Sequence, residues 1–145
     1  MTTRLQHWYW PAASDIGPST ATAVAIWQAT VQTAPHNPWV HNNLGFALAV
    51  EGQNEAAINH YRQALAVDPE YPDAHYNLGN AYTSFENRNE AVNHYRKMLS
   101  KESGYAPAHI NRGNALKAQG KFEAAAHHYY AAKILDPDNS ASYVN

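Results

Sequence analysis

The chain repeats itself with a fixed period of 34 residues. Three glycines mark the period at equal steps, and three tyrosines follow the same steps: Gly45, Gly79 and Gly113, then Tyr61, Tyr95 and Tyr129. A period of roughly 20–50 residues is typical of solenoids, in which one unit cannot bury its own apolar side and stacks on its neighbours instead. The period therefore predicts one elongated domain built from stacked units.

Each unit reads as two helices joined by a short polar turn. In the first unit Pro38 opens the first helix, at a place where a helix needs no backbone donor. Apolar and small residues then recur on one helical face. The second helix has a matching face of small and large apolar residues. The two facing sets are Leu44, Gly45 and Leu48 in the first helix, then Ala57, Tyr61 and Ala64 in the second. This pattern predicts an all-α fold of antiparallel helix pairs.

The period divides the chain into six parts. They are an aromatic N-terminal segment (1–18), a degenerate capping helix (19–37), three full repeats (38–71, 72–105 and 106–139) and the truncated start of a further repeat (140–145). We expect Ser19 or Thr20 to cap the lone helix. The first part carries three adjacent aromatic residues that should pack on the first repeat or on another chain: Trp8, Tyr9 and Trp10. The SASYVN ending restarts the period, which suggests a sequence cut from a longer array.

Two local features predict structural constraints. A glycine inside a helix costs about 0.5–1 kcal/mol relative to alanine, so its recurrence at one place in three units predicts a close approach of the paired helix. Between the helices, Gly52 and Gly120 suit the turn that ends a helix, whereas Glu86 takes that place in the middle unit. We expect the middle turn to be either strained or differently shaped.

Composition excludes several classes of function. Ten Lys and Arg against twelve Asp and Glu give a formal charge of −2, so no general attraction to nucleic acid is expected. The absence of cysteine excludes disulfides, thiolate zinc sites and cysteine nucleophiles. No apolar run reaches the roughly 18 residues of a membrane span, and we expect no direct membrane insertion. The sequence indicates a soluble chain, either cytoplasmic or an extracytoplasmic tail of a membrane protein.

Histidines raise the question of a metal or catalytic site. Six of the nine follow the period, three in first helices and three in second helices: His41, His75 and His109, then His60, His94 and His128. We interpret histidines placed by the repeat as packing residues rather than as ligands of one site. No HExxH motif, glycine-rich phosphate loop or paired Ser/His/Asp arrangement occurs. We therefore expect no enzyme activity, no metal site and no cofactor.

Together these residues resemble the tetratricopeptide repeat family. The run LG…EAA…HY…A…DP between Leu44 and Pro69 matches its pattern, and the resemblance extends from Ser19 to Asn145. Three positions depart from the leucine, proline and alanine that are usual there: Arg112, Ser103 and Met98. The resemblance implies a right-handed α-solenoid that holds a partner protein or an extended peptide in a concave groove.

A row of asparagines stands on the side of the first helices opposite the core stripe, one per period: Asn43, Asn77, Asn111 and Asn145. An asparagine side chain can bond both the N–H and the C=O of an extended backbone, so the row predicts a peptide-binding groove. The alternative is a solvated face without a ligand. The candidate peptide-binding residues are Asn43, Phe46, Tyr76, Asn77, Asn80, Thr83, Asn111 and Asn114. The row is similar to the asparagine-lined superhelix of O-linked N-acetylglucosamine transferases. A cationic clamp for acidic tails is not expected, because Lys117 is the only cation nearby.

Three hypotheses of function follow from these patterns. The first is a non-enzymatic protein–protein interaction module that binds an extended peptide or partner protein through asparagine side chains. The second is the substrate-presenting repeat arm of a larger enzyme such as a glycosyltransferase. The third is a self-assembling scaffold, a homo-oligomer formed through the N-terminal aromatic segment or the open C-terminal end.

Overall fold

The computed structural model describes residues 19–139, and within that range it consists of seven α-helices and no strand. They are α1 (Thr20–Thr33), α2 (Pro38–Val50), α3 (Asn54–Val67), α4 (Pro72–Ser84), α5 (Arg88–Lys101), α6 (Ala106–Ala118) and α7 (Phe122–Leu135). The first helices α2, α4 and α6 alternate with the second helices α3, α5 and α7, and α1 precedes them alone. The predicted all-α helical solenoid is confirmed. The predictions for residues 1–18 and 140–145 lie outside the described residues.

Polar side chains cap the N-terminal ends of α1 and α2. The Ser19 Oγ accepts a hydrogen bond from the backbone N–H of Thr22 at 3.2 Å, so Ser19 is the cap of α1. The Asn37 Oδ1 accepts from the N–H of Trp39 at 3.0 Å, directly in front of Pro38 at the start of α2. Local sequence thus sets the residues at which the helices begin, and with them the faces they present.

The core lies between first and second helices, and its buried side chains form four clusters in the described part of the chain. Leu44 and Leu78 are each 1% exposed, and the tyrosines of the facing helices are 2% (Tyr61) and 1% (Tyr95) exposed. Each tyrosine ring stands over the glycine of its own unit: a Cβ added at Gly79 would lie 2.5 Å from Cε1 of Tyr95. The corresponding distances in the first and third units are 2.6 and 2.7 Å. The predicted close approach is confirmed, and it explains why a residue that weakens helices recurs there.

The turns inside the units need a left-handed backbone. Gly52 and Gly120 adopt φ angles of 81° and 79°, which glycine tolerates without a steric penalty. Glu86 adopts 58° at the same place in the middle unit, and a residue with a Cβ pays roughly 1–2 kcal/mol for that conformation. Of the two alternatives expected for the middle turn, the structure has the strained one: the turn keeps the left-handed shape of the other two.

One residue of the core stripe is charged. Arg112 in α6 stands where Leu44 and Leu78 stand in α2 and α4. Its side chain is half-buried, and its Nε is buried without a hydrogen-bond partner among the described residues. Burial and, to a smaller extent, the nearby Arg96 lower the pKa of Arg112. The departure from leucine thus places an incompletely satisfied cation beside the core.

All seven described helices are short. Each has 13 or 14 residues, whereas a transmembrane helix needs about 20 predominantly apolar residues. Over residues 19–139, no helix is long and apolar enough to cross a bilayer.

Candidate functional site

The asparagine row lies where consecutive first helices meet, since α2 contacts α4 and α4 contacts α6. The Nδ2 of Asn77 on α4 donates to the Oδ1 of Asn42 on α2 at 2.9 Å. The Nδ2 of Asn111 on α6 donates to the Oδ1 of Asn80 on α4 at 3.0 Å, and it also lies 3.3 Å from the hydroxyl of Tyr76. Amide groups therefore join the three units along one surface.

Tyrosine hydroxyls of the second helices also form hydrogen bonds with amides of the asparagine row. The hydroxyl of Tyr95 donates to the Oδ1 of Asn80 at 2.7 Å, and the hydroxyl of Tyr129 donates to the Oδ1 of Asn114 at 2.7 Å. These are the same tyrosines that stand over the helical glycines. The orientation of both amides is therefore fixed by the core beneath them.

The hydrogen-bonding capacity that remains differs between neighbouring amides. Asn77 and Asn111 use their Nδ2 groups internally, and no other described residue bonds to their Oδ1 atoms. Asn80 and Asn114 use their Oδ1 atoms, and their Nδ2 groups donate to nothing within residues 19–139. An extended backbone offers both N–H donors and C=O acceptors, so acceptors and donors on one surface can serve it.

The predicted contact residues differ in how far they reach the surface. Three are exposed and four half-buried: Phe46, Thr83 and Asn114, then Tyr76, Asn77, Asn80 and Asn111. Asn43 is only 8% exposed, so it does not present an open amide as the others do. Thr83 is already engaged, because its hydroxyl donates to the carbonyl of Gly79 at 2.8 Å. The ring of Tyr76 packs edge-on against Tyr105, with centroids 5.0 Å apart.

The six periodic histidines meet as three pairs, one in each unit. In the first unit His41 places its Nε2 2.8 Å from the carbonyl oxygen of Pro35 and its Nδ1 3.3 Å from the Nδ1 of His60. The other two units repeat both contacts, with Nε2–carbonyl distances of 2.8 Å and Nδ1–Nδ1 distances of 3.0 Å. A carbonyl only accepts, so Nε2 of the first ring carries the hydrogen and its Nδ1 is bare. The second ring must therefore donate from its Nδ1.

The geometry of each pair suits a shared hydrogen. The ring centroids are 5.6, 5.2 and 5.3 Å apart and the ring planes differ by only 22–31°, so each pair meets edge to edge through its Nδ1 atoms. Across residues 19–139, no group of three or more His, Asp or Glu side chains is arranged to hold a metal ion.

Burial lowers the pKa of four of the six paired histidines, His60, His75, His94 and His128, and for the last two the value falls to about 4. Charge repulsion adds to burial: for His94 it comes chiefly from His75 when that ring is protonated, and for His128 chiefly from Arg112. In each pair at least one histidine therefore resists protonation.

Two features of the structure were not anticipated from the sequence. The histidines were expected to pack, but not to pair, although a separation of 19 residues recurs in every pair and would have revealed them. Asn42 was not a candidate contact, yet it accepts the amide of Asn77. Its position beside Asn43 in the sequence gives no sign of this role, because only the neighbouring helix supplies the donor.

Models of one repeat family match the chain in three places. A TPR repeat matches residues 50–84, and tetratricopeptide repeats match residues 74–104 and 106–139. Together they cover more than half of the sequence. The chain belongs to the tetratricopeptide repeat family. No curated relative matches it in sequence.

Solved structures resemble the chain in fold. The crystal structure of MamA protein is 23% identical, with a TM-score of 0.73 over 87% of this chain and 69% of that one. MamA 41-end from Desulfovibrio magneticus RS-1 is 19% identical, with a TM-score of 0.79 over 86% and 70%. The first TPR of Spaghetti (RPAP3), bound to the HSP90 peptide SRMEEVD, is 24% identical, with a TM-score of 0.70 over 73% and 84%. Identities this low establish a likeness of fold alone.

Proposed function

We propose that the chain is a non-enzymatic protein-interaction module that binds an extended peptide along α2, α4 and α6. The observation that carries the proposal is the unused hydrogen-bonding capacity of the asparagine row. Asn77 and Asn111 have unused acceptors, and Asn80 and Asn114 have unused donors. Membership of the tetratricopeptide repeat family supports it, as does the peptide bound to the RPAP3 domain of similar fold.

The same surface favours recognition of a peptide main chain over an acidic tail. Across α2, α4 and α6 the only cationic residues are Arg112 and Lys117, and Arg112 is partly buried beside the core. The peptide on the RPAP3 domain, SRMEEVD, carries several carboxylates, for which this row offers few counter-charges. Neutral amides suit N–H and C=O groups, so we expect affinity with little dependence on peptide charge.

The test removes the unused donors and keeps the internal bonds. The double variant Asn80→Asp with Asn114→Asp retains the oxygens that accept from Tyr95 and Tyr129 and lacks the Nδ2 groups. A ligand is first selected on the parent protein from a random-peptide display library, and its affinity is measured by calorimetry. At about 0.5–1.5 kcal/mol for each lost bond, two bonds predict binding weaker by roughly 5- to 150-fold.

The matched control is Asn93→Asp, which adds the same charge at an exposed position on α5, a second helix. Measurements at high ionic strength screen the added charge, so that a general electrostatic effect is removed. Parent-like affinity of the double variant under these conditions, with unchanged helicity, would show that the ligand does not use the amide row.

The other two hypotheses stay predictions. Nothing in the described residues favours an enzyme arm over a free-standing module. For self-assembly, α7 exposes four large apolar side chains: Phe122 (66%), Tyr130 (67%), Ile134 (63%) and Leu135 (44%). Sedimentation that gives a monomer at high protein concentration would eliminate this hypothesis.

A further inference from the structure

Two arginines on adjoining helices, Arg96 on α5 and Arg112 on α6, have no counter-charge in the described part of the chain. Arg96 is exposed and Arg112 is half-buried. Neither forms an ion pair within residues 19–139, and the buried Nε of Arg112 has no hydrogen-bond acceptor there. An arginine stays charged at any ordinary pH, and a charge taken partly out of water without a partner is costly.

The preceding unit shows how the same place is satisfied elsewhere in the array. Arg62 on α3 stands one period before Arg96, and its Nη2 donates to the hydroxyl of Tyr82 on α4 at 2.6 Å. The ring of Tyr82 also stacks on that of His94, with centroids 5.5 Å apart and planes 15° from parallel. A tyrosine of the following unit therefore supplies an oxygen to the arginine.

Leu116 replaces that tyrosine in the third unit. It stands one period after Tyr82 and has no oxygen, so its side chain gives Arg96 nothing to donate to. Arg112 precedes Leu116 by four residues on α6, and residues four apart lie on one face of a helix. Because α5 packs on α6 as α3 packs on α4, the repeat directs Arg96 toward the face that carries Arg112. The lowered pKa of Arg112, caused first by burial and then by Arg96, agrees with this placement.

The chemistry of this junction is suited to an oxyanion. Guanidinium groups match the oxygens of carboxylates and phosphates with pairs of parallel hydrogen bonds. The third side of the junction offers no negative charge, because burial and then Arg112 lower the pKa of His128 on α7 to about 4. A phosphate group has more acceptor oxygens than a carboxylate and carries more than one negative charge at pH 7. Two uncompensated arginines therefore favour a phosphate group.

We propose that Arg96 and Arg112 together bind a phosphate group at the junction of α5 and α6. Arg112 donates from its guanidinium, and a phosphate oxygen gives Arg96 the acceptor that Tyr82 gives Arg62 in the preceding unit. The bound group neutralises two like charges that nothing else in residues 19–139 compensates. The inference uses no amide of the asparagine row, so it does not depend on the proposed peptide binding.

The test follows the side-chain Nε–H signals of the arginines by nuclear magnetic resonance in the full chain. Inorganic phosphate replaces chloride at constant ionic strength, which keeps general screening unchanged. The Arg112 signal should move and saturate at millimolar phosphate, as expected for a few charge-assisted hydrogen bonds. The Arg62 signal is the internal reference, because its guanidinium already donates to Tyr82, and it should not follow the same saturation curve.

Two substitutions separate a site from a general attraction to positive charge. Arg96→Leu removes one of the proposed donors, whereas the matched control Arg62→Leu removes the arginine at the same place of the preceding unit. Both arginines are exposed, and both variants lose the same charge. With binding followed at the Arg112 signal, Arg96→Leu should weaken it by about tenfold or more, and Arg62→Leu should leave it unchanged. Parent-like binding in Arg96→Leu, or an equal loss in both variants, would overturn the proposal.

A second titration identifies the carrier of the phosphate group. N-acetyl-phosphoserine methylamide presents the group as a phosphorylated chain does. Saturation by inorganic phosphate alone supports a site for the free ion, and saturation by the phosphoserine compound supports a site for a phosphorylated partner. If neither compound saturates the Arg112 signal at millimolar concentrations, the two arginines do not form a phosphate site.

Discussion

Replacing Gly79 by alanine tests the helix-to-helix contact on which each unit depends. The added Cβ would lie 2.5 Å from Cε1, 2.7 Å from Cδ1 and 2.8 Å from Cζ of Tyr95. Real Cβ atoms do not approach ring carbons this closely, so the ring or the helix must move. Tyr95 is 1% exposed and its hydroxyl bonds Asn80, which leaves the ring little room to yield.

Two opposing effects set the size of the change. Overpacking a well-packed core typically costs about 1–3 kcal/mol, and exchanging glycine for alanine inside a helix returns about 0.5–1 kcal/mol. Because Tyr95 is held at both its ring and its hydroxyl, we expect Gly79→Ala to lower the free energy of unfolding by about 1–2 kcal/mol. Gly113→Ala should cost less, because the facing Tyr129 is only half-buried and can shift outward.

Urea unfolding followed by circular dichroism measures both variants, with the change read from the midpoint at a constant slope. The parent slope must be retained, since repeat arrays can lose cooperativity between units. A Gly79→Ala protein that is more stable than the parent by the usual helix-propensity gain would refute the reasoning, because the tyrosine would then not constrain the glycine. If Gly113→Ala lowered the free energy of unfolding as much as Gly79→Ala, the burial of the facing tyrosine would not set the cost.

Three further predictions concern strain, pH and charge. Glu86→Gly should raise the free energy of unfolding by about 0.5–1 kcal/mol, because it relieves the left-handed turn, while the control Gly52→Ala should lower it; urea titration checks both. The histidines His94 and His128 have folded pKa values of about 4, below the unfolded value of about 6.5. The free energy of unfolding therefore keeps their full contribution above pH 6.5 and loses it as the pH falls toward 4, by up to about 1.4 kcal/mol per pH unit for each proton taken up. Denaturant titrations at several pH values should show this dependence, and substitution of both histidines by glutamine should flatten it. Arg112→Leu should stabilise by about 1 kcal/mol, because it removes an unsatisfied buried polar atom, and thermal unfolding should show a higher midpoint.

Sequence reasoning predicted the helices and their core faces because both depend on local chemistry. The 34-residue period, the Pro38 start and the helical glycines specify where helices begin and which sides approach. That the turn at Glu86 is unusual was also foreseeable, because the other two units have glycine there, but the sequence left open whether it is strained or differently shaped, and the structure shows the left-handed backbone. These features involve residues close in sequence or repeated at a fixed step, so the printed pattern contains them.

By itself, then, the sequence determined an all-α helical solenoid, the places where its helices begin, and the row of asparagines on one side of the first helices. Only the tertiary structure decided which atoms of those asparagines are already used, that the histidines pair through Nδ1, and that Asn43 is buried while Asn114 is open. The physical reason is that a hydrogen bond between units depends on the distance and angle of side chains from different helices. Those quantities are set by how the helices stack, and residue spacing along the chain does not specify them.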